Sequence, residues 1–241
     1  MRWTSAILAL TGVLAACGGG GGSSPSSAQR TYAYVTPKQN SQRVYAVTDV
    51  DNSSNTINLI SQQTVTGVNP DGTFLVSIVD PTNTSITVNG TTYSITPGLW
   101  TEDATGHDLM VTFSPTGGAS YTCTYTPHGL GPDFPLAIGE TWQLTYTYSC
   151  HGGAAIIFTQ NGKVADAEMV TVPAGTFSAV KLQSTVTWTT PSGTMVTESI
   201  TRWLDANSGQ GVKETAQFSQ SGTVPVNGYL VSQTVVLQTA N

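Results

Sequence analysis

Glu102, Asp103, His107 and Asp108 fall within seven residues of one another, just after Trp100. Carboxylates and an imidazole at that spacing suit acid–base transfer or the holding of a cation. A second stretch, Asp205, Ala206, Gln210 and Gly211, repeats the surroundings of this group but lacks most of its side chains. A solvated loop is therefore the expectation. Asp49-Val50-Asp51-Asn52-Ser53-Ser54-Asn55 opens like a calcium loop, yet its sixth position is Ser54 rather than Gly and its twelfth is Ile60 rather than a bidentate Glu. A polar hairpin turn is expected there. No G-x-S-x-G elbow, H-E-x-x-H helix or phosphate-cradling loop occurs. No catalytic residue, metal or cofactor is assigned, and an envelope hydrolase is the least favoured reading. Trp100, Trp142, Trp188 and Trp203 lie on alternating apolar faces. Core packing is their default, with lining of a pocket for an apolar ligand as the alternative.

The chain has three Cys. Cys123 belongs to a run in which Tyr121, Cys123 and Tyr125 alternate with Ser120, Thr122 and Thr124. Cys150 ends a run in which Trp142, Leu144, Tyr146 and Tyr148 alternate with Gln143, Thr145, Thr147 and Ser149. Both read as half-buried strands. The Gly- and Pro-rich stretch from Pro127 to Asp133 separates them as a loop. A disulfide between Cys123 and Cys150 on neighbouring strands follows, given an oxidising compartment. His128 and His151 would complete a two-Cys, two-His zinc set, but the spacing matches no finger. Cys150 and His151, adjacent on a strand, would also point to opposite faces.

The compartment is read from the first 34 residues. Met1-Arg2-Trp3 and the uncharged stretch Thr4–Ala16 form a positive n-region and an apolar h-region too short to span a bilayer. They end in Leu14-Ala15-Ala16-Cys17, which resembles the lipobox of bacterial lipoprotein precursors. That resemblance implies removal of residues 1–16 and acylation of Cys17. Residues 17–34, opening with Gly18–Gly22 and Ser23-Ser24-Pro25-Ser26-Ser27, read as a flexible tether. Gly18 is not Asp, so the inner-membrane retention signal of enteric lipoproteins is missing and the outer membrane is expected. Several acyl chains on one Cys give stable anchoring, so the membrane is the expected partner.

Composition narrows the function further. Charged residues make up 9% of the 241, and the formal charge is −6, where about 25% charged is usual. An acidic chain offers no footprint for phosphates, so nucleic acid is excluded as a partner. Thr, Val, Ser and Gly favour strands over long surface helices.

From residue 35 onward, short Val/Ile/Thr/Tyr/Phe runs alternate with turn signals. Among these, Asn89-Gly90 and Asn161-Gly162 are the strongest two-residue hairpin signals. Roughly a dozen strands suit an all-β antiparallel meander forming a closed or half-closed barrel, with a pair of β-sandwiches as the alternative. Shifting the chain by about 103 residues superposes Pro70, Gly72, Thr73, Phe74 and Trp100 on Pro173, Gly175, Thr176, Phe177 and Trp203. Residues 35–241 therefore read as one domain of two pseudo-symmetric repeats, 35–137 and 138–240.

Val170-Thr171-Val172-Pro173-Ala174-Gly175-Thr176-Phe177, with Ala179 and Lys181, resembles the V-P-A-G-T-F strand of a broad group of β-rich bacterial envelope proteins. Gly139-Glu140-Thr141-Trp142, Trp203 and the tail Gly209-Gln210-Gly211-Val212-Lys213-Glu214 are similar to further elements of that group. Leu204-Asp205-Ala206 departs from its pattern of an aromatic and a Pro after the Trp. The resemblance covers about residues 139–218. It implies a turn launching a strand, a core Trp and a Gly hairpin, and it brings no reaction. The expected function is a non-catalytic, lipid-anchored envelope protein that binds or scaffolds. The alternative is a carrier of a lipid or lipoprotein acyl chain inside the barrel.

Overall fold

Thr, Val and Tyr fit a pleated, half-buried surface. The computed structural model describes residues 30–88, 91–129, 131–222 and 229–241 and is all-β, with no helix among them. The strands are β1 (Thr31–Tyr32), β2 (Gln42–Asp51), β3 (Thr56–Val68), β4 (Phe74–Val79), β5 (Ile86–Val88), β6 (Thr91–Tyr93), β7 (Gly98–Glu102) and β8 (Asp108–Phe113). They continue as β9 (Tyr121–Thr126), β10 (Leu136–Ala137), β11 (Thr141–Cys150), β12 (Ile156–Val172), β13 (Gly175–Thr189), β14 (Met195–Asp205), β15 (Gly211–Ser221) and β16 (Leu230–Ala240). Twelve of them form a closed antiparallel barrel in the order β2-β3-β4-β7-β8-β9-β11-β12-β13-β14-β15-β16, with β16 returning to β2. The sandwich alternative is thereby set aside. Two ribbons, β1–β10 and β5–β6, stand beside the ring.

Period-2 alternation sets the two faces. Tyr45, Val47, Ile57, Leu59, Val76, Val111, Leu182, Val186, Val235 and Leu237 point inward and are buried. Outward positions of β12 to β15 carry Thr159, Gln183, Thr185, Thr197, Thr201, Thr215 and Gln217. Such hydroxyl and amide side chains meet water, whereas a membrane-spanning barrel shows lipid an apolar band.

Cys123 and Cys150 are directly opposed on β9 and β11 and joined by a disulfide, as expected from their runs. The zinc alternative falls with it. Asn161-Gly162 corrects the hairpin expectation. Both residues lie in mid-strand on β12, paired to β11 and β13. Gly162 is there because Trp142, directly opposite, lays its indole over it: an added Cβ would come 2.2 Å from the ring. Asn89-Gly90 and Cys17 lie outside the described residues.

The domain also starts earlier than the tether boundary at residue 34. Thr31 and Tyr32 pair with Ala137 and Leu136, and Tyr32 is 4% exposed. From there residues 33–41 cross one end of the barrel as a strap. Val35 N–H donates to the Ser208 carbonyl at 2.9 Å and Thr36 Oγ1 to that of Ala104 at 3.0 Å. The Tyr34 ring lies between Phe74 and Phe134, at centroid distances of 6.4 and 5.4 Å. Composition marked these residues as linker because it cannot show that Tyr32 is buried and Tyr34 packed against the core.

Gly162→Ala should lower stability by about 1–3 kcal/mol through overpacking against Trp142, read as a fall in the urea midpoint. Reduction of the disulfide, or Cys123→Ser with Cys150→Ser, should cost about 3–4 kcal/mol for the loop set by its separation of 27 residues. Thermal melts with and without reductant measure it.

Candidate functional site

The strap end of the barrel gathers the charged side chains. At inward positions of the strand ends stand Arg43 and Tyr45 on β2, Glu102 on β7, Arg202 on β14 and Glu214 on β15, around a chamber of about 110 Å³ beneath Tyr34. Arg202 is 7% exposed and forms an ion pair with Glu214. Arg43 donates to Gln210 Oε1 from its guanidinium. Tyr45 donates its hydroxyl to the Gly211 carbonyl at 3.0 Å. Glu102 is 5% exposed. Burial, then the charges of Asp108 and Asp103, push its carboxyl well above the usual range against the pull of Arg43. Farther along β14, burial and the Glu214 charge push the Glu198 carboxyl up to about 8, with Arg202 acting the other way.

A second group adjoins it in the β7–β8 turn and the loop after β9. His107 is buried and bonded through Nδ1 to Asp103. Its Nε2 faces Asp133 Oδ1 at 3.6 Å, and its ring stacks on that of His128 at 3.9 Å. Burial raises Asp103, but the hydrogen bonds from His107 and Thr105 outweigh it and hold this carboxyl at about 2. Burial, with the Glu140 and Asp103 charges, raises Asp133 to about 7. Burial lowers the His107 imidazole, against the pull of Asp103. His107 Nε2 and Asp133 Oδ1 are both buried and approach without hydrogen-bonding. Among the described residues, no group of three or more His, Cys, Asp or Glu is arranged to hold a metal ion.

The expectation of a solvated loop at residues 102–108 is thus corrected. Glu102, His107 and Asp108 are 5%, 3% and 0% exposed: Glu102 is on the inward phase of β7, a register shift on β8 sets Asp108 opposite it instead of leaving it on the outward phase, and the loop after β9 covers His107. The Asp49–Asn55 stretch is the polar turn expected of it: Asp51 accepts from the backbone N–H of Ser53 and Asn55.

The tryptophans do not line the chamber. Trp100 packs edge-on against Phe113 at 5.4 Å, Trp188 against Phe158 at 5.1 Å, and Trp142 over Gly162. Trp203 is on the outer face. Its Nε1–H donates to Glu168 at 2.6 Å, with Lys181 and Lys213 over its ring. The core position implied for it by the family resemblance is therefore corrected. Its ladder partners Lys181 and Lys213 fix that face.

Sequence reasoning passed over Arg43, Glu198, Arg202 and Glu214, though a signal for them existed. Arg202 stands between Ile200 and Leu204 on the inward phase, Glu214 between Val212 and Ala216, and Arg43 two residues before Tyr45. A charge in phase with a buried face marks an interior polar site.

No protein-family model matches the chain, and no curated protein matches it by sequence. Among solved structures, an exported protein by its description, with a YmcC-like fold, from Bacteroides fragilis NCTC 9343 is similar. The TM-score is 0.52 at 15% identity over 88% of this chain and 100% of that one. A protein described as a lipoprotein from Parabacteroides distasonis ATCC 8503 gives 0.49 at 13% identity over 88% and 99%. The hypothetical lipoprotein YmcC from Escherichia coli K12 gives 0.42 at 9% over 83% of each chain. The first of these likenesses shows a shared fold.

The sign of the pH response follows from Glu198. A carboxyl that is at about 8 when folded and near 4.5 when unfolded keeps its proton in the fold while the open chain loses it. Stability contributed by this group is thus full below about pH 4.5 and is lost as pH rises toward 8. Glu198→Gln should raise the urea midpoint at pH 8 and leave it nearly unchanged at pH 5.

Proposed function

We propose that this chain is a lipid-anchored cell-envelope protein whose barrel binds or scaffolds and catalyses no reaction. The observation that carries the reading is a barrel with a polar outer face and a packed interior, entered from the N-terminal side by a strap. In this reading residues 1–16 are a signal peptide, Cys17 is acylated, and the chain from 17 to the strap is a tether. The protein that shares the fold at 15% identity is described as exported, which supports the same compartment. Outer-membrane placement rests on Gly18 in place of Asp.

The packed interior weighs against the carrier alternative. Tyr125 and Tyr146 pack at 6.1 Å, Tyr146 stacks on Phe158 at 5.0 Å, and Phe158 meets Trp188 at 5.1 Å. An acyl chain needs an apolar pocket of about 300 Å³ or more; the chamber at the strap end offers about 110 Å³, and the wider space of about 540 Å³ is an open groove lined mainly by Thr, Ser, Asn and Gln. We also read the barrel as two runs of six strands from a duplicated unit, supported by the equal strand number on either side of residue 138.

Detergent-phase partition and mass measurement of the N-terminal peptide test the anchor. The wild type should enter the detergent phase with an acylated Cys17, and Cys17→Ser should remain aqueous. An unmodified Cys17 in the mature chain overturns the reading. Density fractionation should move Gly18→Asp to the inner membrane. Native mass spectrometry should find no retained lipid in the barrel.

A further inference from the structure

Glu102 carries an observation that its packing leaves open. It is 5% exposed and lines the chamber, and among the described residues no hydrogen-bond or ion-pair partner reaches its carboxyl. The other charges there are engaged: Arg202 with Glu214, and Arg43 on one side with Gln210. Arg43 and Glu102 face the same chamber without touching as an ion pair. Its oxygens open into the chamber rather than into packed interior, so a group that enters the chamber can reach them.

Charge and volume together define what would do so. A group that donates to Glu102 must be positive or strongly polar, and one that accepts from Arg43 must be negative. The gap between them lies inside about 110 Å³. A cavity of about 150 Å³ accommodates benzene, so by that scale roughly five non-hydrogen atoms fit. Tyr34 covers part of the chamber mouth, held by Gly106 and Gly209, where a Cβ would come within 2.5 and 3.0 Å of its ring, respectively. Little space is left for a longer chain.

We propose that the strap-end chamber binds a free, glycine-sized amino acid zwitterion, its ammonium on Glu102 and its carboxylate on Arg43. The ammonium donates N–H to the Glu102 carboxylate, and the ligand carboxylate accepts from the Arg43 guanidinium. No bond is made or broken, and the single chemical change is loss of the Glu102 proton to solvent. Asp108, Asp103 and Arg43 are the charged groups that act on that carboxyl. This site is independent of the lipid anchor, and its failure would leave the anchoring proposal untouched.

Isothermal titration of the full chain in detergent, at pH 7, tests it with glycine, L-alanine, acetate, methylammonium and glycylglycine. Glycine should bind saturably, with L-alanine equal or somewhat weaker. Acetate, methylammonium and glycylglycine should each be at least about tenfold weaker, the difference expected from losing one charge-assisted hydrogen bond or from exceeding the chamber. Heats measured between pH 5 and 8 in buffers of different ionisation enthalpy should report proton release on binding glycine, because burial and the Asp108 and Asp103 charges hold the Glu102 carboxyl above its usual range. Glu102→Gln, which keeps shape and the neutral form, should weaken glycine at least about tenfold and abolish the proton release. Glu140→Gln should change neither. Acetate binding as well as glycine would make this a plain anion site and overturn the proposal. Glycylglycine binding as well as glycine would transfer the site to chain termini and overturn the free-amino-acid assignment. Absence of any glycine heat, or glycine binding without proton release, would also overturn it.

Discussion

A closed ring of twelve strands encloses more space than eight, and eight already give an interior that side chains just fill. That volume is the constraint on which the rest of this structure depends. It explains why the inner face is built of aromatics rather than aliphatics alone. From Trp188 on β13 through Phe158, Tyr146 and Tyr125 to Tyr148, rings meet at 5.0 to 6.1 Å. A second series, Trp100, Phe113 and Tyr121, continues on β7, β8 and β9. Between the two series sits the Cys123–Cys150 crosslink, at a junction where a long loop, residues 127–140, rather than a tight turn joins consecutive barrel strands.

The same constraint governs the ends. Rings fill the middle of the barrel, but at one end the volume is taken by Arg43, Glu102, Arg202 and Glu214 under a lid made from the chain's own N-terminal segment. Buried charges are expensive unless paired, and here pairing is incomplete. Arg202 and Glu214 compensate each other, Glu198 is held at about 8, and burial with the Asp108 and Asp103 charges raises the Glu102 carboxyl well above its usual range. An aliphatic plug would be the cheaper filling. Charge retained at the place where the interior stops being packed gives that end a selectivity that a hydrophobic plug lacks.

Much of the fold was legible because a half-buried strand writes its two faces into alternate residues. The all-β class, the number of barrel strands, the inward phase of Leu182, Val186, Val235 and Leu237, and the pairing of Cys123 with Cys150 all follow from that period. Features that depend on a neighbouring strand were not legible. Gly162 reads as a turn beside Asn161, and only the indole of Trp142 across the ladder shows why a Gly lies mid-strand. The charged interior was half legible: Arg202 and Glu214 are in phase with apolar neighbours, but a rule that equates charge with the wet face passes over them. The burial of His107 was illegible, since the loop after β9 that covers it comes about twenty residues later in the chain.

The proposed duplication shows where a sequence register and a structural one part. A shift of 103 is odd, so it preserves the inward face only where the inward phase itself changes between odd and even. Tyr45 and Tyr148 both belong to the core or pack against it, and Ile57 corresponds to the buried Gln160. On the next strand Ile78, buried, corresponds to Lys181, which sits over the outer Trp203. Trp100 and Trp203 likewise fall on opposite sides of the barrel wall. Strand-length changes of one residue suffice to invert a face. β-bulges supply such changes at Val65/Gly67 on β3 and Val164/Asp166 on β12, sites that the shift does not superpose. Two units of common origin would thus have diverged most through where their bulges lie. At the chamber each half turns in one cation and one anion, Arg43 and Glu102 from residues 35–137 and Arg202 and Glu214 from 138–240, but only the second pair closes on itself as an ion pair.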